Sequence, residues 1–252
     1  LHEIVAQHGG MDAAAAVDLG LATKVPTTPP LEKPYETALV RYRVRLADGD
    51  AAAVFPSGES QTVVRRDDGT AEITVRAVRP DSPRTPDVPN PPPTDDDRRP
   101  NNWIQSDDAR VVRLAEEAAG AETDAWRVAV KLEQSLRPKW QTKPLGTSFA
   151  TAADAARELS GDCTEYAVLL AAMLRSRGIP ARTAVGLVYV ETERAFLYHM
   201  WTEAYLADRW IPLDAAWGRG GTSAAYLKVA QTNLAGVEPL AGLRFGSLWP
   251  GA

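Results

Sequence analysis

The sequence predicts an α+β fold in which helices pack on an antiparallel sheet, preceded by a small β-rich domain. Three observations carry this expectation. Residues 35–79 alternate apolar and polar side chains, residues 80–100 are rich in proline, and the chain beyond them has a helical period before it returns to strands. A length of 252 residues favours two domains over one.

The composition excludes several classes of protein. Hydrophobic residues make up 44% of the chain and charged residues 24%, which allows a packed core and excludes collagen, full disorder and a coiled coil. The net charge of -5 offers no basic stripe, so we expect no nucleic-acid partner. No stretch approaches the roughly 20 consecutive apolar residues of a membrane-spanning helix, and we expect no membrane span in this chain.

Residues 1–30 are predicted to be a lead-in segment of low information. An alanine-rich stretch over 11–21 favours a short helix, and Thr27 to Pro30 is a loop signal. Because residue 1 is Leu, we expect this chain to be a fragment of a longer precursor. Its location stays open: the cell envelope or secretion is one option, while the single free cysteine would also suit the cytosol.

Residues 31–79 are predicted to form the small β-rich domain. The expected strands cover 38–46, 61–65 and 71–78, and the turns at 47–50 and 67–69 indicate hairpins. Between Pro80 and Pro100, eight of 21 residues are proline, which is typical of a stiff, extended interdomain linker. The acidic run over 95–97 within it is interpreted as solvated charge, because the glycine and distal Glu of a calcium loop do not follow.

Residues 101–252 are predicted to form the larger domain. Ser106 and Thr123 are expected to cap the first two helices, over 107–119 and from 124 to about 137, and Thr151 the third, over 152–159. A capping box at 162–165 then begins a buried helix that ends near Gly178. The remaining sequence predicts strands over 181–190, 196–206 and 210–213, and a short helix near 224–230.

The candidate nucleophile is Cys163, the only cysteine of the chain, in the first turn of the buried helix. The unpaired amides and the positive dipole at a helix N-terminus favour a thiolate. A free cysteine is also commonly a small buried hydrophobe, so this position alone leaves both interpretations open. Of the three histidines, His2 and His8 lie near the N-terminus, which leaves His199 for any histidine chemistry in the folded body.

Asp214 ends the last predicted strand and is the candidate partner of His199. If the loop before this strand has an even number of residues, Leu206 pairs with Arg209, and His199 lies diagonal to Asp214 on one face of the sheet. An odd loop would put Asp214 on the opposite face. With an even loop, the three residues can act as nucleophile, general base and orienter of the base.

These residues lie in blocks that resemble the transglutaminase-like superfamily, with its papain-like core, in bacterial form. The blocks are GDCTEYA at 161–167, RGIPAR at 177–182, HMWTEA at 199–204 and WIPLDA at 210–215. The resemblance covers residues 103–220 and implies a catalytic triad of Cys163, His199 and Asp214. It also implies an oxyanion donor upstream, here Trp140 or Gln141, and Trp201 is a candidate for a wall of the substrate cleft.

The resemblance implies a thiol-dependent enzyme that acts on a protein or peptide substrate through a thioester. Hydrolysis, by a cysteine protease or amidase, is the favoured reaction, and cross-linking by a transglutaminase is the alternative. A binding or scaffold module that kept the fold without activity is a further alternative. We expect no cofactor, and one cysteine with one histidine in the body does not favour a zinc site.

Overall fold

The computed structural model describes residues 1–6, 24–143 and 149–236. The predicted α+β class is confirmed: helices pack against a large and mostly antiparallel sheet. His8, the helix expected over 11–21 and the tail beyond residue 236 lie outside the described residues. Within the described residues, no helix is long and apolar enough to cross a membrane.

Before the proline-rich segment, the described residues form five strands and one short helix. In chain order they are β1 (His2–Ala6), β2 (Val25–Thr28), β3 (Leu39–Leu46), α1 (Ala51–Val54), β4 (Gln61–Arg65) and β5 (Ala71–Arg76). Strands β4 and β5 form the predicted hairpin. The expected hairpin at 47–50 is wrong, since the chain enters α1 there and β3 pairs with β5.

After the proline-rich segment, four α-helices and six strands lie within residues 101–143 and 149–236. They are α2 (Ala109–Ala119), α3 (Ala125–Leu136), β6 (Gln141–Thr142), α4 (Ala152–Glu158), β7 (Ser160–Gly161), α5 (Cys163–Ser176), β8 (Ala181–Val190), β9 (Ala195–Leu206), β10 (Arg209–Leu213) and β11 (Tyr226–Thr232). The helices pack on one side of β9 and β10 through an apolar cluster that includes Leu132, Leu169 and Ile211. The centre of this core is α5, whose residues between Tyr166 and Leu174 are all buried.

Three local predictions differ from the structure. The first two helices are capped by Asp108 and Asp124 rather than by Ser106 and Thr123, because each aspartate accepts hydrogen bonds from the first free amides. Thr151 caps the third helix as expected. The helix predicted near 224–230 is wrong: this segment is strand β11, because pairing with β8 overrides the local preference of its alanines.

One sheet runs through both halves of the chain, in the order β11-β8-β9-β2-β1-β3-β5-β4, with β10 also paired to β9. The segment predicted as a lead-in therefore contributes two strands, and β2 pairs with both β1 and β9. The proline-rich segment lies against the β9–β10 hairpin, where Arg84 and Asn90 both donate to the carbonyl of Asp208. The domain boundaries at 30, 79 and 100 stay a prediction.

Candidate active site

Cys163 is the first residue of α5, and the predicted capping box holds it there. The Asp162 side chain accepts from the Thr164 amide at 2.8 Å, and Glu165 accepts from the Asp162 amide at 2.9 Å. Gly161 makes this turn possible: its φ of +146° suits glycine, and a Cβ would lie 2.6 to 2.7 Å from the Glu165 side chain. The thiol is thus fixed at the positive end of a buried helix, with 8% of the residue exposed.

His199 lies on an incompletely paired stretch of β9. On one side, β8 pairs with residues 195–204 and places Gly186 opposite His199. On the other side, β10 pairs only with residues 202–206 and β2 only with residues 195–196. Between these partners, residues 197–201 form an open edge within the described sheet. The helix that carries Cys163 packs against this strand.

Asp214 reaches His199 because of the register of the β9–β10 hairpin. Its loop is the two residues Ala207 and Asp208, both with positive φ, and Leu206 pairs with Arg209 as predicted for an even loop. Asp214 directly follows β10, and its Oδ2 lies 2.7 Å from His199 Nε2. Its Oδ1 accepts from the amide of Ala216 at 3.0 Å, which fixes the carboxylate plane.

The structure therefore brings Cys163, His199 and Asp214 together. Burial opposes a charge on the imidazole, but the charge and hydrogen bond of Asp214, with a hydrogen bond to Cys163, raise the pKa of His199 to about 10. A charged imidazole beside the cysteine is thus favoured at neutral pH. Since Nε2 faces Asp214, Nδ1 is the ring nitrogen available to the thiol.

Two further residues hold Asp214, and the sequence prediction missed both. Tyr226 donates to Asp214 Oδ2 at 2.7 Å, and it lies on β11, where a helix was expected. Glu133 accepts from the amide of Asp214 at 2.8 Å and from those of Gly220 and Gly221. The sequence did contain a signal for Glu133: it lies on the apolar stripe of α3, next to Leu132 and one turn before Leu136, where a charged residue is unusual.

The other predicted site residues have structural partners. Trp140 donates its Nε1 to the carbonyl of Gly161 at 3.2 Å and stacks on Tyr166, with ring centroids 4.1 Å apart. Gln141 lies in β6 with an exposed side chain. Trp201 is buried, and its ring lies nearly parallel to that of His199 at 6.3 Å. The roles of Trp140, Gln141 and Trp201 in oxyanion or substrate binding stay predictions.

A metal would need a cluster of ligating side chains. Among the residues that the structure describes, no group of three or more His, Cys, Asp or Glu side chains could hold a metal ion.

Comparison with known proteins agrees with this geometry. Residues 112–215 match the family model described as the transglutaminase-like superfamily, a range that contains Cys163, His199 and Asp214. This segment of the chain therefore resembles the core of that superfamily. A comparison with curated proteins finds no match.

Several solved structures are similar to parts of this chain. One is "a Putative Cysteine Protease from Cytophaga hutchinsonii", with 18% identity over 79% of this chain and 78% of that chain and a TM-score of 0.50. Another is the periplasmic domain of TgpA from Pseudomonas aeruginosa, bound to ethylmercury, with 18% identity over 65% of this chain and 70% of that chain and a TM-score of 0.40. Red sea bream transglutaminase has 11% identity over 80% of this chain and 49% of that chain, with a TM-score of 0.37.

Proposed function

We propose that this protein is a thiol-dependent enzyme that hydrolyses an amide bond of a protein or peptide through a Cys163–His199–Asp214 triad. The observation that carries the proposal is the 2.7 Å contact between His199 and Asp214, next to a cysteine at the start of a buried helix. The match to the transglutaminase-like family model supports the same class of chemistry.

In the proposed reaction, Cys163 Sγ attacks the carbonyl carbon of the substrate. Before the attack, the thiol proton already lies on His199, so that a thiolate faces an imidazolium. His199 Nδ1 then gives this proton to the leaving amine, so that a thioester forms and ammonia or a peptide amine departs. Water, deprotonated by the same nitrogen, attacks the thioester and releases the acid. Asp214 keeps the imidazole oriented and stabilises its charged form throughout.

The amide of Cys163 itself is the first donor for the oxyanion, because it is one of the unpaired amides at the start of α5. Trp140 is the candidate for the second donor. Its Nε1 is already bound to the carbonyl of Gly161, so this role requires the indole to exchange one acceptor for another. Water is the proposed acceptor because, unlike an amine substrate, it needs no binding subsite of its own.

The test gives the enzyme one protein substrate and lets water and an added amine compete as acceptors of the acyl group. β-Casein is incubated with the protein and dansylcadaverine, while new amino termini, released ammonia and dansyl incorporation are measured in parallel. We expect new amino termini or released ammonia without dansyl incorporation. The variant Cys163→Ala should give neither new termini nor ammonia. Dansyl incorporation that depends on Cys163 would support cross-linking instead. No product and no acyl-enzyme in the intact mass would favour the scaffold alternative.

A further inference from the structure

A pocket lies on the sheet away from the triad. It has a volume of about 270 Å³, with a floor of side chains from β8 to β11 and walls from residues 56–60 and 89–91. Glu203 on its floor is four residues from His199 along β9, about 13 Å at the rise of a strand. Pro89 and Gln231 at its mouth are exposed, whereas Glu203, Trp210 and Lys228 are buried.

The floor of this pocket contains a buried cluster of three charges. Lys228 Nζ donates to Glu203 Oε1 and Arg182 Nε to Glu203 Oε2, each at 2.8 Å. Burial raises the pKa of Glu203, but the charges and hydrogen bonds of the two cations outweigh it and hold that pKa below the ordinary value. The carboxylate is therefore ionised at neutral pH, and both of its oxygens are already occupied.

The pocket is lined by two cations, Arg182 and Lys228, and by two carboxylates, Glu203 and Glu59. Glu203 faces two cations, and the second carboxylate of the lining, Glu59, is itself shared by Arg209 at 2.5 Å and Arg84 at 3.4 Å. Arg209 and Arg84 lie outside the lining, so the charges of the lining itself balance. A negative group in the pocket would therefore depend on the N–H groups of Arg182 and Lys228 that Glu203 leaves unused.

Hydrogen-bond donors for such a group are present on the floor. A guanidinium has five N–H groups and an ammonium three. Arg182 uses Nε and Nη2 toward Glu203, and no hydrogen bond within the described residues uses its Nη1. Lys228 uses one of its three donors. The Arg182 guanidinium also lies 3.8 Å from the centre of the Trp210 ring, which fixes its plane.

We propose that this pocket binds a small carboxylate ligand, about the size of an N-acylated amino acid, whose carboxylate pairs with Arg182 and Lys228. A guanidinium edge and a carboxylate match in plane and spacing. The volume limits the ligand, because pockets for drug-sized molecules begin at about 300 Å³. The site is separate from the triad, so the proposal stands independently of the proposed function.

The test compares two probes that differ only in charge, N-acetylglycine and N-acetylglycinamide. Each is titrated into the protein by calorimetry at constant ionic strength, with inorganic phosphate as a third probe. We expect saturable one-to-one binding of N-acetylglycine, with the amide and phosphate each at least about tenfold weaker. Lys228→Met should abolish binding, and circular dichroism checks that this variant folds.

A second variant leaves the floor intact. Gln231→Glu adds one negative charge at the exposed mouth and should weaken N-acetylglycine at least about threefold. Ala121→Glu adds the same charge at an exposed residue after α2 and should leave binding unchanged. Equal binding of N-acetylglycine and its amide, tighter binding of phosphate, no saturable binding, or full binding by Gln231→Glu would each overturn the proposal.

Discussion

Glu133 provides a quantitative test of how the candidate site is held in place. Its side chain is fully buried, and its carboxylate accepts from the amides of Asp214, Gly220 and Gly221. Burial is the main effect on its pKa, and together with the nearby charge of Asp214 it outweighs the three hydrogen bonds. The pKa of Glu133 is therefore raised from the ordinary 4.5 to about 7.

This shift makes the free energy of unfolding depend on pH. Below pH 4.5 the Glu133 carboxyl is protonated in both the folded and the unfolded chain, and its contribution to the free energy of unfolding is fully present. As the pH rises from 4.5 through 7, the unfolded chain loses the proton more readily, so the folded chain loses stability. At 1.36 kcal/mol for each tenfold change in proton affinity, the loss is about 3 kcal/mol.

The perturbation is Glu133→Gln, which keeps the shape of the side chain and removes its titration. The free energy of unfolding is measured for both proteins by urea denaturation between pH 4 and pH 8. Because the other groups titrate in both proteins, the difference isolates Glu133. The stability of the wild type relative to the variant should fall by about 3 kcal/mol across this range. A difference that stays constant with pH would refute the reasoning.

Two other substitutions test the geometry around His199 and Asp214. A Cβ at Gly186, opposite His199, would lie 1.9 Å from the carbonyl oxygen of Leu227, so Gly186→Ala should destabilise the fold by about 3 kcal/mol or more in urea denaturation. At Gly58 the nearest atom would be 3.8 Å away, so the control Gly58→Ala should cost less than about 1 kcal/mol, and equal costs would contradict the packing. Tyr226→Phe removes one donor from Asp214 and should cost about 1–3 kcal/mol while the thiol of Cys163 stays reactive. Loss of thiol reactivity in this folded variant would show that the 2.7 Å contact of His199 is insufficient to hold Asp214.

The sequence predicted the fold best where local signals and burial agree. The capping box at Asp162 and Glu165 and the alternation over 181–190 each determine an element by themselves, and the structure contains both. Strand β11 was missed because its alanines favour a helix locally, and only pairing with β8 makes it a strand. Strand β1 was missed for a similar reason, since its pairing depends on β3, more than 30 residues away.

The residues of the candidate site also fall into those placed by local signals and those placed by long-range packing. Cys163 is placed by its own helix start, and Asp214 by the two-residue turn that sets the hairpin register. Tyr226 and Glu133 belong to elements distant in sequence, and they meet Asp214 only when the sheet and α3 pack together. The charge cluster of Arg182, Glu203 and Lys228 could not be predicted for the same reason, because its three members lie on three different strands.

The most direct test of the proposed chemistry is the rate at which iodoacetamide alkylates Cys163 from pH 4 to pH 9. It is measured in the wild type, in His199→Ala and in the folded control Tyr226→Phe. The proposed triad predicts a wild-type rate that stays high near pH 6, because the charged His199 stabilises the thiolate, and that collapses in His199→Ala. If the wild type and His199→Ala titrate together near 8.5, the ordinary value of a thiol, the account of an activated cysteine is contradicted.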